Sequence, residues 1–545
     1  MSSDAAKMIL APCLLGGITW RFLNYKTIRG DFCLLVVASS VIVVFAALSS
    51  CGGGYETAFS DTASILFRYL FSAATFTIVY RLSPRHPLSQ FPGPFLNRIS
   101  SLRMVATIYY GKRYSDIERL HEAYGPFVRI GPNSLSVNLH DAVNKVYAAA
   151  NSLDKGPAYR AGHLPGNGIF FMQNRKDHDQ RRRIWAPAFT TSTLPIYEVY
   201  ALERCVELIA CVSRRAKARG VCNLSEVIAH WTYDLMGDVV FGRSSDLNLM
   251  KNGDPRRLIS SGQLATACFD ILGEAPWLFD ICWHLPIVDA IRALQTAAQE
   301  MMSKWLVSST RGESDILSHL ASASAPLSRD DLALESLFAI QAGSDTSSSI
   351  ISLLMFYLIR HQGVYRRLQS ELDTCFTKEN VNARDSVLRE LPYLNAVIEE
   401  GLRLGAPLPG LRRVVPAHGI TLSGTFIPGG TTVSVPAWAQ NVSEENFFPD
   451  PKEFKPERWL EGGLGPDSRC RRSAVMSFSF GTFSCLGKAL AYQQLRLIVA
   501  HLVVHYDMKF ASGFNEGLFI GGVSNMLTTI LGRPLLVSVS SRQIM

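Results

Sequence analysis

Apolar and polar positions are distributed very differently at the two ends of this 545-residue chain. Residues 32–51 carry neither a charge nor a polar face, and as a helix they are long enough to cross about 30 Å of hydrocarbon. Residues 65–80 form a second apolar run, weakened by Arg68, which can snorkel from one end. Residues 8–20 form a third, short and interrupted by Pro12 and two glycines. These runs predict a membrane anchor of one to three spans within residues 1–81. Residues 82–94, with Pro84, Pro87, Pro92 and Pro94, read as a stiff non-helical hinge. Beyond it, residues 95–545 alternate amphipathic helical periods with short β segments, which predicts a mainly α domain with small β-sheets. Residues 128–138 read as a hairpin about a Gly-Pro turn. A mostly apolar period over residues 330–361 reads as one long helix.

Charge sets the expected topology. Arg21, Lys26 and Arg29 separate the first two runs, Glu56 and Asp61 the next two, and Arg81 and Arg85 follow the third. Basic loops favour the cytosolic side, so everything after Arg81 is expected there, with endoplasmic reticulum as the membrane. The net charge of +8 is modest for this length, and no nucleic-acid motif is present. Eleven cysteines lie scattered without framework spacing, which argues against a disulfide scaffold or a structural zinc site.

Against that background a few clusters carry chemistry. Phe478-Ser-Phe-Gly481-Thr-Phe-Ser-Cys485-Leu-Gly487 opens onto an apolar helical run. A thiol at a helix start is favoured as thiolate, although a buried free cysteine is the plainer reading of that residue alone. Gly481 and Gly487 allow a tight turn and close approach of a flat partner. In the long helix, Ala342-Gly343-Ser-Asp345-Thr346 forms a small, polar notch, where Thr346 can bond back to the carbonyl of residue 342. Asp345 places an acid beside that hydroxyl, which suits relayed proton delivery, with a tolerant packing seam as the alternative. His178 and Arg182 share a helix face and suit either a carboxylate or a solvated basic surface. Glu400 and Arg403 stand three apart and can pair, followed by Arg413 and by the Pro-punctuated stretch ending in Pro456-Glu-Arg458-Trp459.

Taken in order, Ala342-Gly343-x-Asp345-Thr346, Glu400-x-x-Arg403, Pro456-Glu-Arg458-Trp459 and Phe478-x-x-Gly481-x-x-x-Cys485-x-Gly487 resemble the cytochrome P-450 (haem-thiolate monooxygenase) superfamily, and most closely its fungal microsomal members of secondary metabolism. The resemblance covers residues 91–535 and implies the cytochrome P-450 fold behind the anchor. It implies haem ligated by Cys485, with propionates met by Arg182, His178 and Arg413. It implies oxygen handling at Ala342, Gly343, Asp345 and Thr346, and a structural ion-pair cluster of Glu400, Arg403 and Arg458. One departure stands out: where the family usually has Arg or His two residues before the cysteine, this chain has Phe483.

The expected activity is oxidation of a lipophilic small molecule, a terpenoid or other secondary metabolite, by O₂. Electrons come from NADPH through a membrane flavoprotein reductase, since the chain has no nucleotide fingerprint of its own. A basic face of Lys488, Arg496 and residues 469–472 is the candidate dock for that reductase. Residues 156–173, 269–285, 338–339, 408–411 and 519–523 are expected to line the substrate pocket, apolar and with few charges. The apolar region 265–291 reads either as a substrate gate or as a membrane-dipping surface. The competing functions are a haem-thiolate isomerase or dehydratase needing no external electrons, and a non-catalytic membrane haem-binding protein.

Overall fold

The structure is a computed structural model that describes residues 3–24, 26–51, 54–148, 153–160, 163–307, 315–323, 327–377, 382–405 and 409–543. Three helices come first: α1 (Ser3–Leu23), α2 (Gly30–Ser50) and α3 (Tyr55–Leu82). α2 and α3 are long and apolar enough to cross a bilayer, whereas the apolar stretch of α1, Leu10–Leu23, is short. α1 lies along α3, with Trp20 stacked on Phe76 at 5.7 Å and Ser72 donating to the Cys13 carbonyl at 2.7 Å. Gly16 permits that approach, since a Cβ there would stand 2.7 Å from the Tyr69 carbonyl oxygen.

The start of α2 and the end of α3 both meet the body of the protein. The Gly30 N–H donates to the buried Asp280 carboxylate at 2.9 Å, and a Cβ on Gly30 would fall 1.9 Å from the Trp277 carbonyl oxygen. Arg81 donates to the Ile99 carbonyl at 2.5 Å, and its own carbonyl accepts from Arg129 at 3.2 Å. The segment after α3 is indeed non-helical up to Phe95, but it is no free spacer. Leu88 and Phe91 are buried in a small core with Leu135, Val137 and Val433, so it straps the N-terminal helices onto the first sheet.

The remainder is helical with small sheets, as its periodicity predicts. The helices that position the site are α4 (Arg113–Tyr124), α5 (Arg175–Trp185), α6 (Leu194–Arg219), α7 (Leu224–Phe241), α8 (Leu258–Gly273), α9 (Pro276–Cys282), α10 (Arg329–Arg360), α11 (Pro392–Gly405) and α12 (Lys488–His505). α10 is continuous through the notch and capped by the Ser328 hydroxyl, which accepts from the Asp331 N–H at 3.0 Å. α7 and α10 lie at the centre of the main apolar core, and both are buried over most of their length. Such all-round burial explains their weak amphipathicity.

The strands are β1 (Phe127–Gly131), β2 (Ser134–Val137), β3 (Cys222–Asn223), β4 (Arg413–Val414), β5 (Thr432–Ser434), β6 (Tyr506–Phe510), β7 (Val523–Asn525), β8 (Thr529–Leu531) and β9 (Leu536–Ser541). They form a sheet in the order β1-β2-β5-β4, a sheet β6-β9-β3 and the ribbon β7-β8, with two further two-stranded ribbons elsewhere. β1 and β2 pair antiparallel as the predicted hairpin, with Phe127 opposite Val137. β4 brings Arg413 from the edge of the first sheet into the middle of the molecule, where it is 1 % exposed.

Candidate functional site

Cys485 sits just before α12 in a loop whose turn depends on Gly481, at φ +66°. Its N–H donates to the Phe478 carbonyl at 2.8 Å, which closes the loop. Gly487 has an ordinary φ of −81°, so its role is not the turn. A Cβ there would meet only Phe189 at 3.8 Å and the Cys485 Sγ at 4.0 Å, so glycine keeps the space beside the sulfur clear. Cys485 is exposed on its loop, yet the chain enclosing the sulfur pushes the thiol above its ordinary value, against smaller opposing contributions from the Gly487 N–H, Arg182 and Lys488. A bound cation favours the thiolate form.

Four basic side chains converge beside this loop. Asn174 caps α5 by accepting from the N–H of Lys176 at 2.8 Å, and the helix then presents His178, Arg181 and Arg182 on one side. Arg182 donates to the Ser484 carbonyl at 2.7 Å and to its hydroxyl at 3.3 Å, directly behind Cys485. Arg181 belongs elsewhere: it holds Asp331 at 3.1 Å and Glu335 at 3.0 Å on α10. Phe483 gathers the others. His178 meets its ring edge-on at 4.5 Å, and the Arg413 guanidinium lies 4.8 Å and the Lys155 ammonium 5.0 Å from its centre. The ring donates nothing, but its face attracts cations, so it organises the very groups that would meet an anion.

Lys155 is the residue that sequence reasoning missed. It pairs with Arg413 across an isolated antiparallel bridge, while the N–H of Gly156 donates to the Arg412 carbonyl at 3.1 Å. The Lys155 side chain is 8 % exposed and donates to the carbonyls of Phe170 at 2.8 Å and Ile169 at 3.2 Å. Burial and the neighbouring Arg413 push this ammonium well below its ordinary value. Burial first, then Lys155, Arg182 and Arg413, push His178 down to about 3. Among the described residues, the buried Arg413 Nε and His178 Nδ1 have no hydrogen-bond partner. Buried donors without partners are costly, and beside the Arg413 guanidinium they call for an anion, which is what a haem propionate would supply. The donor set therefore fits the group that the Cys485 loop implies. A lone lysine at the edge of a Gly/Pro-rich loop carries no pattern from which this role is legible.

On α10 the notch divides into two faces. Ala342 is exposed and Thr346 half-buried toward the open side, and the Thr346 hydroxyl donates to the Ala342 carbonyl at 2.5 Å. Gly343 and Asp345 face α7 instead. A Cβ on Gly343 would stand 2.6 Å from the Met236 side chain, so this glycine admits the close approach of α7. Asp345 is 4 % exposed, accepts from the Tyr233 hydroxyl at 2.9 Å and also accepts from Gln341. Burial raises it to about 7, against smaller opposing contributions from Tyr233 and Gln341. It also borders a cavity of about 380 Å³ lined in part by Ser348, Ser349 and Ser352.

Below the notch, Glu400 and Arg403 of α11 are fully buried. Arg403 donates to both carboxylate oxygens at 2.8 and 2.7 Å, Arg458 donates at 3.0 Å and the Trp459 indole at 2.9 Å. Arg403 is further held by the carbonyls of Asn441 at 2.6 Å and Pro451. Burial alone would raise Glu400, but the two guanidiniums and the Lys455 N–H outweigh it and hold the carboxyl below its usual range.

A narrow pocket of about 20 Å³, room for a water or so, is walled by Tyr159, Phe170, Phe171, Phe269, Leu411 and Leu527. Phe338 of α10 closes it, stacked on Phe170 at 5.7 Å and edge-on to Phe171 at 4.5 Å. Segments 156–173, 269–285 and 408–411 contribute residues to this lining and 338–339 meets it only through Phe338, while Ala161, Gly162 and Leu408 lie outside the described residues. Residues 519–523 do not. Phe519 packs into the core against Phe356 at 5.0 Å, and it is Leu527, between β7 and β8, that reaches the cavity. Nor is the lining nearly free of charge: Arg113, Asp270 and Arg412 border it.

The expected basic docking face also loses a member. Arg496 is 8 % exposed and binds Asp385 in a bidentate pair at 2.5 and 3.2 Å, tying α12 to the neighbouring short helix. Arg469, Arg472 and Lys488 are exposed, while Arg471 pairs with Glu445 at 3.3 Å.

With this geometry in view, comparison with known proteins gives one answer. The family model described as Cytochrome P450 matches residues 92–521. A cytochrome P450 monooxygenase, ABA2, of Pyricularia oryzae is 32 % identical over 476 residues, covering 81 % of this chain and 89 % of its own length. Tryprostatin B 6-hydroxylase of Aspergillus fumigatus is 32 % identical over 470 residues, covering 83 % of this chain and 80 % of its own. The cytochrome P450 monooxygenase notG' of Aspergillus versicolor is 31 % identical over 502 residues, with 88 and 87 % covered.

Proposed function

The chain belongs to the cytochrome P450 family, and from that premise we propose that it is a membrane-anchored haem-thiolate monooxygenase that hydroxylates a lipophilic small molecule of secondary metabolism. The observation that carries this reading is the anion-seeking cluster beside the Cys485 loop, and the Ala342/Thr346 face of α10 and the aromatic pocket packed on that helix through Phe338 support it. Haem bound at Cys485 supplies dioxygen activation and one-oxygen transfer, with the thiolate favouring O–O cleavage.

The residues of this chain do the rest. Arg413, Lys155 and His178 hold the propionates, and Arg182 fixes the backbone of the cysteine loop through Ser484. Replacing Lys155 by Met or Arg413 by Ala removes a charge-assisted contact, each of about 1.5–3 kcal/mol, so haem affinity falls about tenfold or more. The ratio of haem to protein in the purified variants measures this. Near-stoichiometric haem in both would dismiss the propionate assignment.

Thr346 presents its hydroxyl to the open face, and Asp345 stores a proton behind it. Raised from 3.8 to about 7, Asp345 keeps a proton in the folded protein that the unfolded chain has lost. Between those values its contribution to stability therefore falls as pH rises, and above about 7 the store is empty. With NADPH and a flavoprotein reductase, the fraction of NADPH converted to product should drop as pH rises through about 7, and Asp345→Asn should be low and flat. A pH-independent yield in the unmodified enzyme would remove Asp345 from proton delivery. Product formed without NADPH or reductase would instead favour the isomerase or dehydratase chemistry.

Two apolar helices, and the meeting of the basic α1–α2 loop and Arg81 with the body of the protein, support an anchor with the catalytic domain on the positive side, in the cytosol at the endoplasmic reticulum. Arg469, Arg472 and Lys488 form the reductase dock in this reading.

A further inference from the structure

Among the aromatic walls of the cavity lies a group of four buried charges. Arg113 of α4 donates to both oxygens of Asp270 on α8, at 2.9 and 2.5 Å. Arg412, from the strand edge that also carries Arg413, stands 3.6 Å from Asp270 and 2.7 Å from Glu274. The side chains of Arg113, Asp270 and Glu274 are 4, 1 and 5 % exposed, and that of Arg412 is 16 % exposed. Two guanidiniums and two carboxylates make the group neutral overall.

Such a group is an odd structural tie. Buried ion pairs are often no better for stability than apolar residues of the same shape, and every wall beside this one is apolar. Its donors are also incompletely used. The Arg113 Nε is buried and has no partner among the described residues. Arg412, Arg113 and Asp270 border the same cavity as Phe170 and Phe171, whose rings close on Phe338 of α10. Phe170 and Phe171 thus link the pocket to α10, and Arg113, Asp270 and Arg412 present polar groups to a lining that is otherwise mainly apolar.

We propose that the Arg113–Asp270–Arg412–Glu274 quartet is the specificity element of this enzyme, selecting lipophilic substrates that carry one uncharged hydrogen-bonding group, such as a hydroxyl or an amide, set apart from the carbon that is oxidised. The proposal rests on the monooxygenase reading and names its substrate class. A neutral quartet offers donors and acceptors together, so it satisfies a hydroxyl or amide fully. It has no net charge with which to hold a carboxylate or an ammonium. A pure hydrocarbon leaves the quartet desolvated and unused, which costs affinity.

Alkylimidazoles test this on the haem-loaded full chain in lipid nanodiscs, because the imidazole nitrogen binds iron and fixes one end of the probe. A series of graded chain length ends in methyl, hydroxyl or carboxylate, and binding is read from the Soret shift. At the chain length that reaches the quartet, the hydroxyl probe binds about tenfold tighter than the methyl probe, the worth of one well-made buried hydrogen bond. That ratio falls to about one in Arg412→Met, while the red-shifted carbon-monoxide band is kept. Glu274→Gln leaves the group with one net positive charge and shifts the preference to the carboxylate probe by a similar factor. Equal binding of methyl and hydroxyl probes at every length overturns the proposal, as does a preference that survives both variants. A carboxylate preference in the unmodified enzyme overturns it in favour of an anion site. Loss of the carbon-monoxide band in the unmodified enzyme would count against the haem-thiolate reading itself, so the two failures are distinct.

Discussion

Cys485→Ala yields a protein that lacks the red-shifted carbon-monoxide band and oxygenates nothing. The loop leaves no substitute for the sulfur. Its backbone is closed by the Cys485 N–H on the Phe478 carbonyl and turned at Gly481, and alanine keeps both features. Cysteines 205, 211 and 222 are buried in the main apolar core, so none of them can move into this position. The surroundings of the thiol raise its pKa, so a bound iron would be what favours the thiolate at Cys485. Some haem stays associated through Lys155, His178 and Arg413, with the spectrum of a non-thiolate complex. A reduced carbon-monoxide difference spectrum and a product assay, run on the same preparation, measure both losses. Retained oxygenation would end the monooxygenase assignment, whatever the spectrum showed.

Glu400→Ala has the largest expected effect on folding. Five hydrogen bonds from four residues, two of them guanidinium-bearing, end on this carboxylate, and the residue is fully buried. Removing it leaves Arg403 and Arg458 as uncompensated buried charges and costs about 3–5 kcal/mol. That is a large share of the 5–15 kcal/mol that typically separates a folded domain from its unfolded chain. Expression as an unstable, haem-poor protein is expected, with urea unfolding shifted to a much lower midpoint. The same carboxyl, held below its ordinary range, makes the enzyme acid-sensitive. Its stabilising contribution is complete above the ordinary carboxylate value and is lost as pH falls through the lowered one. In Glu400→Ala that acid-dependent part should be missing. A change in stability of less than about 1 kcal/mol would mean that the cluster is replaceable.

The residues that were legible in advance are those whose chemistry is local. The Cys485 loop announces itself by glycines beside a helix start, and Glu400 with Arg403 by a spacing that pairs within one helix. Thr346 needs only the carbonyl four residues back, and that bond forms. What was misread depended on partners far along the chain. Arg496 on a basic helix suggests a docking face, but Asp385 neutralises it from another helix. Phe519 sits in an apolar stretch that suits a pocket, yet its nearest ring is Phe356 in the core.

The same distinction applies to the feature that most affects catalysis. Sequence alone determines the apolar N-terminal runs, the mainly helical class, the candidate ligand cysteine and the motif order, because periodicity and near-neighbour chemistry are properties of adjacent residues. It also exposes the absence of a donor at Phe483. Only the tertiary structure decides what replaces that donor. It brings Lys155 beside Arg413 by an antiparallel bridge, sets both with His178 around the Phe483 ring, and places Arg113, Asp270, Glu274 and Arg412 in one aromatic wall. Each of these groups joins residues separated by more than a hundred positions. Their energies come from burial and mutual charge, which exist only once the chain has closed around them.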